Sequence, residues 1–119
     1  MKNILIVFIG GGIGSGLRYI CSYSIKSATF PAATFIVNII GSFAIGALFA
    51  LSIKGSIANP HWKLFLTSGI CGGFTTLSAF SFENVQLIQE GKWMTFALYT
   101  IGTIFLGIIA ALLGYKIIH

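Results

Sequence analysis

The sequence predicts an all-α integral membrane protein of four transmembrane helices with a break in the third, and three observations predict it. Of 119 residues 56% are hydrophobic and only 8% charged, with a mean hydropathy of +0.97, outside the range of soluble domains. The few charges cut the chain into long uncharged runs: Lys26 to Lys54, Lys63 to Glu83 and Lys92 to Lys116 each enclose at least 19 uncharged residues, and an apolar, glycine-rich segment lies between Lys2 and Arg18. A bilayer core of roughly 30 Å takes about 20 helical residues to cross, so the spans fall at about residues 4–23, 34–53, 64–89 and 93–115 of a single membrane domain. The third run differs from the others: Gly72-Gly73 is followed by Thr75, Thr76, Ser78 and Ser81, interleaved with phenylalanines. Glycine costs about 1 kcal/mol relative to alanine inside a helix, which weakens the span there, and a break at membrane depth is tolerated only where it faces protein, an ion or a water-filled cavity.

The first span opens Ile4-Leu5-Ile6-Val7-Phe8-Ile9 and continues into Gly10-Gly11-Gly12-Ile13-Gly14-Ser15-Gly16. Gly10/Gly14 and Gly12/Gly16 are G-x-x-x-G pairs that let another helix approach closely. The run has no small-x-small cleavage site, so it reads as a span rather than a secretory leader. Arg18 closes it, and either faces a water-filled vestibule or snorkels to the headgroups.

Pro31 sits where a missing N–H costs nothing, near a helix start. In the second span Thr34, Asn38, Gly41 and Ser42 recur at i, i+4, i+7 and i+8, a polar, small stripe that must face protein or water. It reads as interhelical glue or as pore lining. Asn59-Pro60 reads as a turn and His61 receives no chemistry. In the third span Thr76, Phe80 and Glu83 fall on one line, while Leu77, Phe80, Ser81 and Asn84 share one face. Glu83 is the one carboxylate that could lie at membrane depth, either beside a path or paired at the interface. The last span places Tyr99 and Thr103 at i, i+4, with Trp93 and Tyr115 as interfacial anchors.

The composition also excludes. Cys21 and Cys71 both fall inside spans and form no disulfide framework; no basic cluster would grip nucleic acid; no nucleophile–base pair or His/carboxylate cluster suggests an enzyme. Four helices are too few to enclose a wide cavity, which places any transport path at a subunit interface. Lys2, Lys54, Lys63 and Lys116 fall on one side of the membrane and Lys26, Lys92 and Arg18 on the other. So small a bias sets no firm orientation, and two copies inserted in opposite directions would supply the inverted symmetry that one chain lacks.

Taken together, Gly10-Gly11-Gly12-Ile13-Gly14 with Arg18-Tyr19, then Pro31, Thr34, Asn38 and Gly41-Ser42, then Gly72-Gly73-Phe74-Thr75-Thr76-Leu77-Ser78-Ala79-Phe80-Ser81-Phe82-Glu83 resemble the Fluc (CrcB) fluoride channels over the whole chain. The resemblance implies a cell-membrane, multi-pass protein working as an antiparallel, dual-topology dimer with two fluoride pores, exporting fluoride passively. It implies a structural sodium ion at the dimer centre, held by the backbone carbonyls of Gly72 and Thr75 from both subunits. It makes Asn38 a pore-lining donor, Arg18 a vestibule charge, Ser78 and Ser81 a hydroxyl track beside Phe80, Tyr99 and Thr103 the contribution of the fourth span, and Glu83 a carboxylate at the pore end. The chain departs from the family at Leu77, where a first phenylalanine is typical, and at Ala79, so the partner is either an identical copy or a sibling subunit. The chemistry agrees: fluoride is strongly hydrated, and Ser, Thr, Asn and Tyr replace its water with donors, while ring edges suit an anion and a carbonyl cage suits a hard cation.

Two other classes of function compete. A small four-helix drug or cation exporter needs a carboxylate inside a span, for which only Glu83 is available; a non-transporting scaffold subunit would use the same hydroxyls as glue.

Overall fold

The computed structural model describes residues 1–119 and is all-helical, with four helices or helical runs long and apolar enough to cross a membrane. Helix α1 is Lys2–Ser24 and α2 is Ala32–Ile53, with Pro31 at its N-cap. The third span, Pro60–Gln89, is a composite. It begins with α3, Pro60–Leu64, passes into a π-helical stretch, Phe65–Cys71, and one further turn, α4, Gly72–Phe74, then breaks and resumes as α5, Leu77–Gln89. Helix α6 is Trp93–Ile118.

The third span starts earlier than its hydropathy suggests. Asn59 and Pro60 form a helix cap rather than a free turn: Asn59 Oδ1 accepts from His61 N at 2.8 Å, and Pro60 occupies the first helical position, where its missing N–H is not needed.

The break also lies elsewhere than expected. Gly72 and Gly73 stay helical, and the interruption falls at Thr75 and Thr76, both extended, at φ −81°, ψ 158° and φ −151°, ψ 123°. Threonine, not glycine, supplies the means of stopping. Thr75 Oγ1 and Thr75 N both bond Cys71 O, at 3.0 and 3.1 Å, which closes the upstream turn. Thr76 Oγ1 accepts from Ala79 N at 3.1 Å and so caps α5. The glycines serve packing instead. A Cβ on Gly73 would overlap Gly11 O, and one on Gly14 would come within 2.8 Å of Phe74 N, so α1 lies backbone to backbone against the upstream half of the third span.

A second seam joins α2 to α6. A Cβ on Gly46 would overlap Ala111 O and one on Gly114 would overlap Phe43 O, while Gly107 faces Ser42. The third span lies between these pairs, its upstream half on α1 and α5 reaching α6. Lys54 Nζ donates to Ile118 O, so the α2–α3 loop and the end of α6 share one face of the membrane domain. The Ser27–Pro31 segment lines a cavity with Glu90 and Lys92, which places those two connections together at the opposite face.

Few residues are buried, 14 of 119, and large apolar side chains such as Phe8, Leu98, Phe105 and Ile117 point outward. In a lipid solvent this is the expected inversion, because helices there associate through close packing and hydrogen bonds rather than through a hydrophobic core.

Candidate functional site

The break organises the polar chemistry of the chain. Two extended residues leave backbone groups unpaired, and the α2 stripe supplies the partner: Asn38 Nδ2 donates to Thr76 O at 3.0 Å, and Asn38 Oδ1 accepts from Thr76 N at 2.9 Å. One side-chain amide thus replaces the peptide that the interrupted helix lacks. One turn along the stripe, Gly41 makes room for Thr75, whose methyl group would meet any Cβ there.

Thr34, one turn before Asn38, donates through Oγ1 to Glu83 Oε2 at 2.8 Å, and Tyr99 OH donates to Glu83 Oε1 at 2.8 Å. Both carboxylate oxygens are therefore held, by α2 on one side and α6 on the other. The Tyr99 side chain is fully buried, and its ring packs against Phe80 at 5.0 Å between centroids and edge-on to Phe30 at 5.3 Å. On the other side of the break, Arg18 Nε donates to Gly73 O at 3.1 Å, with Ser15 Oγ 3.4 Å from the same carbonyl.

A groove of about 440 Å³ runs along the break. Asn38, Ser42, Thr75, Thr76, Phe80 and Thr103 line it, and no charged side chain does. Thr103 Oγ1 is buried with no hydrogen-bond partner in the chain. Gly72 and Thr75 also border the groove. Their carbonyl oxygens accept no hydrogen bond, in contrast to Cys71 O, Gly73 O and Thr76 O, each of which is taken.

Of the residues picked from the sequence, the structure gathers Asn38, Gly72, Thr75, Leu77, Phe80 and Thr103 on this groove. Tyr99 lies immediately behind Phe80, and Glu83 behind Tyr99. Arg18 is tied to the backbone on the α1 side. Ser78 and Ser81 lie on the outer flank of α5, solvent-accessible in a single chain, beside a Leu77 that is 75% exposed; Ser78 Oγ is 3.2 Å from Thr76 Oγ1. The clasp of Asn38 on Thr76 and the anchoring of Glu83 by Thr34 and Tyr99 escaped the sequence reading. The topology held a signal for the second. In a four-span chain the start of α2, the end of the third span and the start of α6 share one membrane face, and an intramembrane carboxylate there draws whatever hydroxyls those ends carry.

The chain matches the family described as CrcB-like protein, Camphor Resistance (CrcB), over residues 5–115. It is 47% identical over 118 residues to the fluoride-specific ion channel FluC of Azobacteroides pseudotrichonymphae, covering 97% of this chain and 94% of that protein. The protein of the same name from Phocaeicola vulgatus is 45% identical over 117 residues, 96% of each chain, and that from Aquifex aeolicus 40% identical over 118 residues, 97% of this chain and 95% of the relative.

Proposed function

The chain belongs to the CrcB family of multi-pass membrane proteins, and from that premise we propose that it is a fluoride-specific ion channel exporting fluoride passively and lowering its cytoplasmic concentration. The observation that carries the proposal is the wall of the groove, where an amide, hydroxyls and a phenyl ring stand among aliphatic side chains such as Ile45 and Ile104, with no fixed charge among them. Fluoride leaves water only where several donors replace its shell at once, and a wall of neutral donors does this without trapping the ion as an ammonium would. Asn38 keeps one N–H beyond the bond it gives to Thr76 O, and the Phe80 ring, braced by Tyr99, offers a weakly positive edge. A negative-inside membrane drives an anion outward by about 2.3 kcal/mol per 100 mV, so export needs no coupled energy source.

The working unit in this proposal is an antiparallel dimer. A sodium ion at its centre would be held by the carbonyls of Gly72 and Thr75 from both copies, and the residues fit: at the break these two oxygens are without hydrogen bonds, and hard carbonyl oxygens suit a hard cation. Such an ion supplies fixed positive charge that ties two interrupted helices together. Replacing sodium by a large organic cation is then expected to shift the purified protein from dimer toward monomer, read by light scattering in detergent.

The channel itself is tested by efflux from liposomes carrying the purified chain. Fluoride release without chloride release is the expected result, and proton-coupled cation uptake with no fluoride release would overturn it. In the Phe80→Ile variant fluoride flux is expected to vanish with assembly intact; full flux there would remove the ring from the mechanism.

A further inference from the structure

A second cavity, of about 270 Å³, opens at the far end of the same α5 face. Ser27, Thr29, Phe30, Gln86, Glu83, Glu90 and Lys92 are among the residues that line it. Glu83 therefore forms part of its wall, while Thr76 and Phe80, which precede Glu83 on the same helical line, border the first groove. The Phe80–Tyr99–Glu83 contacts, a ring pair at 5.0 Å and a hydrogen bond at 2.8 Å, form the partition between the two spaces.

The charges of this cavity pose a problem for an anion. Both carboxylates of the chain, Glu83 and Glu90, line it, against a single cation, Lys92. The oxygens of Glu83 are turned onto Thr34 and Tyr99, whereas Glu90 lies in the open and pairs with Lys92 at 3.3 Å, their side chains 57% and 44% exposed. An exposed ion pair of this kind adds little to stability. Its effect on the field in a cavity walled by low-dielectric helices is larger, because such walls focus the potential of the few charges present.

We propose that this cavity is the water-facing mouth at one end of the fluoride path and that Lys92 is its anion-attracting residue, held in check by Glu90. The proposal rests on the channel reading above and deepens it. Lys92 offsets the carboxylates and raises the local concentration of fluoride at the mouth; Glu90 lowers it. Fluoride then meets Ser27, Thr29 and Gln86 before reaching the Tyr99 partition.

The opposite signs of the two charges make the test. Fluoride efflux from liposomes is measured for the parent chain, Lys92→Gln, Lys92→Arg, Glu90→Gln and the double Glu90→Gln/Lys92→Gln variant, at about 10 mM and about 1 M ionic strength, where charges act over about 30 Å and 3 Å respectively. At low ionic strength Lys92→Gln is expected to slow flux about twofold to fivefold and Glu90→Gln to speed it by a similar factor, as one unit charge some 5–8 Å from the ion requires. Lys92→Arg should keep parental flux, the double variant should fall between the singles, and all differences should vanish at high ionic strength. A merely structural role for the pair would move both variants in the same direction and leave the effect insensitive to salt. Parental flux in Lys92→Gln at low ionic strength, or equal slowing by both substitutions, overturns the mouth. Absence of fluoride flux in the parent chain overturns the channel reading itself.

Discussion

At the scale of single residues, Asn38 is the side chain on which the break depends. Its amide satisfies both backbone groups of Thr76, and in a membrane no water stands ready to replace it. Asn38→Ala is therefore expected to lower stability by about 2–3 kcal/mol, read as a reduced thermal midpoint in detergent, and to abolish flux. Asn38→Asp keeps the oxygen that receives Thr76 N–H but sets its second oxygen against Thr76 O, so it should fail as completely; parental stability and flux in either variant would show the clasp to be dispensable. Glu83 follows the same logic through two donors. Tyr99→Phe keeps the ring against Phe80 and Phe30 and removes only the hydroxyl, and Thr34→Val removes the other donor. Each is expected to cost about 1–3 kcal/mol, and the double variant more than their sum, because it leaves a carboxylate with no partner inside the span. Additive costs would show that water from the cavity Glu83 borders replaces the lost donors.

At the scale of elements, backbone-to-backbone seams decide where each helix can lie. Gly46 and Gly114 carry the α2–α6 seam, and Gly46→Ala forces those helices apart, at an expected cost of about 1–3 kcal/mol. A Cβ added to Gly12 would meet nothing within 4 Å beyond its own helix, so Gly12→Ala should leave the fold of one subunit intact and gain up to about 1 kcal/mol of helix propensity. Thermal unfolding of the two variants side by side checks the contrast. These glycines also mark where sequence reading stops. The spans were legible because lipid allows only long apolar helices, and the polar α2 stripe was legible because nothing polar faces hydrocarbon unpaired. Two overlapping G-x-x-x-G pairs in α1, however, do not say which face meets the third span; the arriving helix chooses, and it takes Gly10 and Gly14. The position of the break was hidden for a related reason. Glycine only weakens a helix, whereas Thr75 and Thr76 can end one, but only with Asn38 across the gap to accept the freed backbone.

At the scale of the whole molecule, the arrangement of one chain poses a question that only a second can answer. The open flank of the break carries unbonded carbonyls at Gly72 and Thr75, exposed serines at 78 and 81 and a bare Leu77. Lipid against such a face would cost several kcal/mol for each unpaired polar group, which favours protein there, and a second copy is the partner the proposed channel requires. If the copies run antiparallel, residues near the axis meet their own counterparts. With Cys21 and Cys71 replaced by alanine, a cysteine at Leu77 is then expected to crosslink to itself in membranes. Orientation is read separately, from a cysteine placed at Ser56 in the α2–α3 loop. This loop shares a membrane face with the end of α6, as the Lys54–Ile118 bond requires, and the lysines of that face, Lys2, Lys54, Lys63 and Lys116, barely outnumber Lys26, Lys92 and Arg18 opposite. Insertion biased by a single positive charge should proceed both ways. A membrane-impermeant thiol reagent applied to intact cells is thus expected to label about half of the Ser56→Cys copies, the remainder reacting only after permeabilisation. Labelling of all copies or of none would fix one orientation and rule out an antiparallel pair of identical chains, leaving an oppositely oriented sibling as the only partner with which this chain could build the proposed channel.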